Sequence, residues 1–305
     1  MIHWLRSHPL TGFVVLAYTG SWIFWVPFIP LQKFIPAESY KPAAAGVGQL
    51  ALLAGPFLAS LIMTRLTTGS LRAWTSSFKR WHVPPVSYAL ALIAIPAAII
   101  IASAVLPGKE AGTPTFVGPA VVIGPLIQGV VFLIGGPIQE EVGWRGFALP
   151  VLQERIRPFQ AAVVLGVIWG GWHLPQFFVP AWENPHNNVI DVLGFFAFTI
   201  TGAVVMSWVT NLAHGSVLLA ILAHNSMNWA LATWSGIPGR QVTAIWPATA
   251  GMAVLAVVAL VCALTDPPRW LTALAVIAAG VPAVYTVIPW LGTRWRLHVL
   301  RAPRR

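Results

Sequence analysis

Nine stretches of this chain are apolar over about the 20 residues that a helix needs to cross a bilayer core. They run 10–30, 46–65, 86–107, 118–137, 160–179, 190–210, 212–234, 247–265 and 270–291. In hydrocarbon every backbone N–H and C=O must find its partner inside the protein, and a helix does this within one segment. Charge is scarce as well: 18 basic and 8 acidic residues make up 9% of 305, against about 25% in an ordinary soluble protein. Together these features exclude a soluble globular enzyme, a disordered chain and a disulfide scaffold. They predict an all-α, polytopic helical membrane protein with about 8–9 transmembrane helices.

The connections, such as PAESYKP, LPGKEAGTP, VPAWENPHNN and TDPPRW, are short and rich in polar residues, Pro and Gly. No internal repeat or dividing linker is visible, so 1–305 is read as a single membrane domain. The first segment follows Arg6 and ends WVPFIPLQK without a small-x-small cleavage site, so a retained helix is expected. Arg65, Arg72, Lys79 and Arg80 make 65–85 the richest early basic loop. By the positive-inside rule that loop and the N-terminus are cytoplasmic. Nine crossings add Arg6, Arg155, Arg157 and Arg269 to the same side and place Lys33, Lys41, Lys109 and Arg240 opposite. They also put Arg294, Arg296, Arg301, Arg304 and Arg305 on the wrong side, which favours eight true crossings. GSLRAWTSSFKRWHV reads as a short interfacial helix. Trp4, Trp22, Trp25, Trp74, Trp81, Trp290 and Trp295 read as interfacial anchors. The net charge of +10 sits mostly in loops and tails, so its expected partner is membrane lipid and not nucleic acid. The single cysteine, Cys262, permits no internal disulfide and reads as a small apolar residue.

Most of the acids lie in connections or at segment ends. Glu140 and Glu141 close a strongly apolar run, VVFLIGGPIQEEVGW, with Arg145 four residues beyond. Each ionisable group at depth costs roughly 2.5–3.5 kcal/mol on insertion scales. On a helix Glu141 and Arg145 face one another, so Arg145 neutralises Glu141. Glu140 is turned away by about 100° and left for another task. The stretch after Pro137 is expected to be the lower part of the fourth helix. His173 lies inside GVIWGGWHLPQFF, with Trp169 one turn before it; His224 lies inside SVLLAILAHNSMNWALA, with Asn228 one turn after it. His214, in the TNLAHGS connection, is turned away from His224. Singly, such residues serve as interhelical glue. Collected from three segments, they suit water activation: a carboxylate or imidazole takes a proton, and a second His and an Asn donate to a developing oxyanion. Glu140, His173 and His224 are equally a candidate ligand set for one divalent metal such as zinc. The H-E-x-x-H pattern of soluble metalloproteases is absent.

These residues resemble the CPBP family of CAAX-processing and bacteriocin-processing intramembrane proteases. The matching patterns are Glu-Glu-x-x-x-Arg (Glu140, Glu141, Arg145), aromatic-x-x-x-His (Trp169, His173) and His-x-x-x-Asn (His224, Asn228). The usual family aromatic is Phe, so Trp169 is a departure. The resemblance runs from about 118 to 234, as a catalytic core between N-terminal helices (1–117) and C-terminal helices with a basic tail (235–305). It implies an intramembrane endopeptidase acting on a peptide or lipidated protein, including prenylated CAAX-type substrates. By analogy Glu140 with His173 activates water, and His224 with Asn228 forms the oxyanion hole or completes a metal site. Glu141 and Arg145 hold the first motif in shape. The family is often called a metalloprotease family, and a metal-independent glutamate mechanism is also proposed for it. Two other readings stand beside this one: a proton-coupled transporter, and a non-proteolytic membrane immunity or scaffold protein. High Ala, Val, Trp and Arg usage fits a GC-rich bacterium, hence a bacterial plasma membrane as the expected location.

Overall fold

Proline starts many of the helices. Pro9, Pro85, Pro137 and Pro158 each open a helix, where a missing N–H costs nothing and the fixed φ already suits the helix. The computed structural model describes residues 2–106, 109–110, 120–180, 188–235, 241–242 and 245–265. The helices are α1 (Ile2–Ser7), α2 (Pro9–Leu31), α3 (Ala37–Leu52), α4 (Leu58–Thr68), α5 (Arg72–Ser77), α6 (Pro85–Ala89) and α7 (Ile95–Val105). They continue as α8 (Ala120–Ile134), α9 (Pro137–Gly143), α10 (Leu149–Gln153), α11 (Pro158–Trp172), α12 (Val189–Leu212), α13 (Val217–Ser235) and α14 (Trp246–Thr265). Two residue pairs, Lys109–Glu110 and Gln241–Val242, form a minimal antiparallel pairing. The protein is all-α and polytopic: among the described residues six helical stretches are long and apolar enough to cross a membrane, and Val217–Ala232 is a shorter apolar one.

Two of these stretches, and the shorter run from α9 to α10, pass through single π-helical turns, at Leu53–Phe57, Leu90–Ala94 and Trp144–Ala148 respectively. Each turn comes with a proline: Pro56 within the first, Pro96 and Pro150 two residues beyond the others. A proline ring clashes with the carbonyl four residues back and offers it no N–H. Widening the preceding turn relieves that clash without ending the helix. The first turn also holds Gly55 at φ −82°, ψ −113°, a sharp kink between α3 and α4. The kink is gripped from both sides. A Cβ on Gly20 of α2 would lie 2.1 Å from the Ala54 carbonyl oxygen, and one on Gly143 of α9 would lie 2.7 Å from that of Pro56. Small residues thus bring backbones into contact, as membrane helix packing requires. The kink fixes the height of α9, which carries the glutamates.

Aromatic rings fill the space between α2, the third π turn and α11. Trp25, Trp144 and Trp172 are fully buried. Trp172 meets Trp25 at 4.6 Å and Trp144 at 5.6 Å between centroids. Trp25 is therefore a core residue and not an interfacial anchor: it lies far enough inside α2 to face α11. Trp4 and Trp81 are exposed, and the Trp74 indole donates to Ser60. Large apolar side chains on the outside, including Ile23, Leu126, Val131, Ile190 and Val254, are exposed in the manner of a lipid-facing surface.

The stretch after Pro137 is helical, as expected, but is not a continuation of the preceding helix. The chain turns at Gly135–Gly136 and restarts at Pro137. The interfacial fragment forms α5, and Arg80 beyond it donates to the carbonyl of His214. The expected segment 270–291, Trp290, Trp295 and the basic tail lie outside the described residues.

Candidate active site

The site is assembled from three helical stretches. α9 and the π turn after it supply Glu140, Glu141 and Arg145; the end of α11 supplies Trp169 and His173; α13 supplies His224. Glu140, Glu141, Arg145, Trp169 and His224 are all buried, and Glu141 is wholly inaccessible. Arg145 Nη1 donates to Glu141 Oε1 at 2.9 Å, the one-turn pair read from the sequence. The π turn that carries Arg145 leaves this contact in place. Nη2 of the same guanidinium lies 3.5 Å from Met206 Sδ, and the group stacks over the Trp169 ring at 4.8 Å.

Two contacts were not legible in the sequence. His224 Nδ1 lies 2.8 Å from Glu141 Oε1, so both donors converge on one oxygen. The Trp169 indole N–H donates to Glu140 Oε2 at 2.8 Å. The two neighbouring glutamates are thus split between partners, Glu141 toward α13 and Glu140 toward α11. The His173 Nδ1 is 2.7 Å from the Trp169 main-chain carbonyl. Its ring packs edge-on against Trp172 at 4.6 Å and Phe195 at 5.1 Å. Asn228 sits one turn beyond His224 on α13 and is half-buried, with no hydrogen bond to the cluster among the described residues.

The partners of the two imidazoles fix their tautomers. A carbonyl oxygen and a carboxylate only accept, so Nδ1 carries the proton in both rings. In each ring Nε2 is left to take a proton, or to donate one if the ring is an imidazolium. This is the chemistry of a general base and of an oxyanion donor. The ligand set considered from the sequence is not assembled: among the described residues no three His, Cys, Asp or Glu side chains are grouped so as to hold a metal ion.

Comparison with known proteins points the same way as these residues. Residues 122–230 match the family model described as type II CAAX prenyl endopeptidase, Rce1-like. A CAAX prenyl protease 2 of Methanococcus maripaludis is 33% identical over 92 residues, which cover 29% of this chain and 34% of that relative. The chain therefore spans about a third of the length of the curated relative it matches. The family match takes in Glu140, Glu141, Arg145, Trp169, His173, His224 and Asn228.

Proposed function

We propose that this chain, whose residues 122–230 match the Rce1-like family model, is an intramembrane endopeptidase of the CPBP type. It hydrolyses a peptide bond of a membrane-associated substrate, with a prenylated CAAX-type protein as the substrate class its relatives favour. The observation that carries this reading is a buried carboxylate, Glu140, tied through Trp169 to a histidine whose Nδ1 is engaged by the Trp169 carbonyl, which leaves Nε2 for the chemistry.

In the proposed reaction Glu140 takes a proton from a water oriented by His173 Nε2. The hydroxide adds to the scissile carbonyl carbon. Asn228 donates its amide N–H to the oxyanion. His224 joins it as an imidazolium, because its Nδ1–H is already committed to Glu141. Collapse breaks the C–N bond, and the proton held by Glu140 passes to the leaving amine. Glu141 touches no reacting atom in this scheme and holds Arg145 and His224 in place. The basic loop 65–85 would lie on the cytoplasmic side.

Purified protein in detergent or liposomes should cleave a farnesylated CAAX peptide. Glu140→Ala and His173→Ala should lose that activity while remaining folded. Equal cleavage by wild type and Glu140→Ala would remove Glu140 from the site. Chelation with EDTA and zinc analysis on the same sample decide between the glutamate and metal mechanisms.

A further inference from the structure

Trp169 touches Glu140, Arg145, His173 and His224, which otherwise come from three separate stretches. Its indole donates to Glu140 Oε2 at 2.8 Å. Its ring face receives the Arg145 guanidinium at 4.8 Å, and its ring meets His224 edge-on at 5.3 Å. Its main-chain carbonyl lies 2.7 Å from His173 Nδ1. Resting on the endopeptidase reading above, we propose that Trp169 is a positioning residue that sets both halves of the water-activating pair. The side chain pins one oxygen of Glu140, and the backbone of the same residue fixes the tautomer of His173.

An indole nitrogen only donates, so its partner is an acceptor and the bond selects one carboxylate oxygen. Oε2 is thereby engaged. No protein group among the described residues donates to Oε1, which sits over Gly136, where an added Cβ would come within 3.4 Å of it. Oε1 is therefore the oxygen that receives the water proton. The indole is itself held: Trp169 is buried, with Arg145 on its face and two imidazoles at its edges. A rigid donor on a closely packed helix fixes the carboxylate better than a mobile side chain would, which is what preorganisation of a general base requires. A phenyl ring at 169 keeps most of the packing and the backbone carbonyl but has no donor. The side-chain and main-chain contributions are therefore separable.

The test compares wild type, Trp169→Phe, Glu140→Gln and the double variant on a farnesylated CAAX peptide. Trp169→Phe should lower kcat on the order of ten- to a hundredfold, the worth of one hydrogen bond to a charged group, with KM unchanged. In the Glu140→Gln background the same substitution should change the residual rate by less than about twofold, because its effect runs through the carboxylate. An equal loss in both backgrounds, or a rise in KM alone, would show a structural role and overturn the assignment. If wild type cleaves and Trp169→Phe matches its kcat, the assignment fails and the endopeptidase reading stands. If wild type cleaves nothing, both fail. Should Trp169→Phe not fold, 15N-indole spectra of wild type and Glu140→Ala decide. One indole N–H resonance should move upfield on loss of the carboxylate, and a spectrum with no shifted indole overturns the proposal.

Discussion

Glu141 and His224 are 83 residues apart in the chain and meet at 2.8 Å, through the same carboxylate oxygen that holds Arg145. A single buried oxygen thus joins α9, the π turn after it and α13. The junction sits where water is excluded, so each partner is worth more there than at a surface and its loss is harder to compensate.

Arg145→Ala is expected to be the most destabilising single change in the cluster. The guanidinium and Glu141 are both fully buried, and removing one member of such a pair leaves an uncompensated charge, at a cost of roughly 3–5 kcal/mol. The stacking on Trp169 is lost with it. Arg145→Lys keeps a charge but not the planar group that stacks and reaches Met206, so an intermediate loss is expected. Thermal unfolding in detergent reads both. An Arg145→Ala protein that melts with wild type would mean that the pair contributes nothing.

The two adjacent glutamates should part company on substitution. Glu140→Gln keeps shape and an acceptor for the indole but cannot take a proton, so hydrolysis should fall to a small residual rate with little change in Tm. Glu141→Gln removes the charge between Arg145 and His224 and should lower Tm, by the equivalent of about 3 kcal/mol. Measuring Tm and hydrolysis for both variants gives a two-by-two outcome. The reverse pattern would exchange the roles of the two residues.

The sequence shows the membrane setting because charge is scarce enough for each buried ionisable residue to stand out. It also shows the Glu141–Arg145 pair, which depends only on one turn of helix. It does not show which glutamate meets which helix. That is decided by the turn at Gly135–Gly136, which restarts the helix at Pro137, and by the kink at Gly55 that sets the height of α9. The indole bond of Trp169 depends on a side-chain rotamer, so spacing marks the residue only as an aromatic beside His173. Trp25 misleads for a related reason: residues near a helix end read as anchors unless the neighbour that covers them, here Trp172, is known.

Ser21→Ala should weaken the site from a distance. The buried hydroxyl donates to the Ala51 carbonyl at 2.8 Å and accepts from the Trp172 indole at 2.9 Å. It joins the kinked α3–α4 stretch to the residue just before His173. Alanine leaves a buried indole N–H without its acceptor, at a cost of about 1–3 kcal/mol. A lower Tm is expected, with a smaller fall in hydrolysis than for any change at Glu140. Ser21→Thr, which keeps the hydroxyl, should recover part of the loss only if the extra methyl fits beside Gly55.

Gly166→Leu tests whether the placement of His173 depends on the close approach of α11 to α12. A Cβ at 166 would lie 2.5 Å from the Ile200 Cα and 3.0 Å from the Thr199 carbonyl oxygen, so the two backbones must move apart. Overpacking of this kind costs about 1–3 kcal/mol. The displaced helix is the one that ends in Trp169 and His173, so Tm and hydrolysis should fall together. Gly46 in α3 is the control: a Cβ there meets nothing within 4 Å, and Gly46→Ala should leave both unchanged or raise Tm slightly, since alanine favours the helix by about 1 kcal/mol. If Gly166→Leu retains full hydrolysis at a reduced Tm, the geometry of His173 is set by Trp172 and Phe195 around its ring and not by the α11–α12 contact.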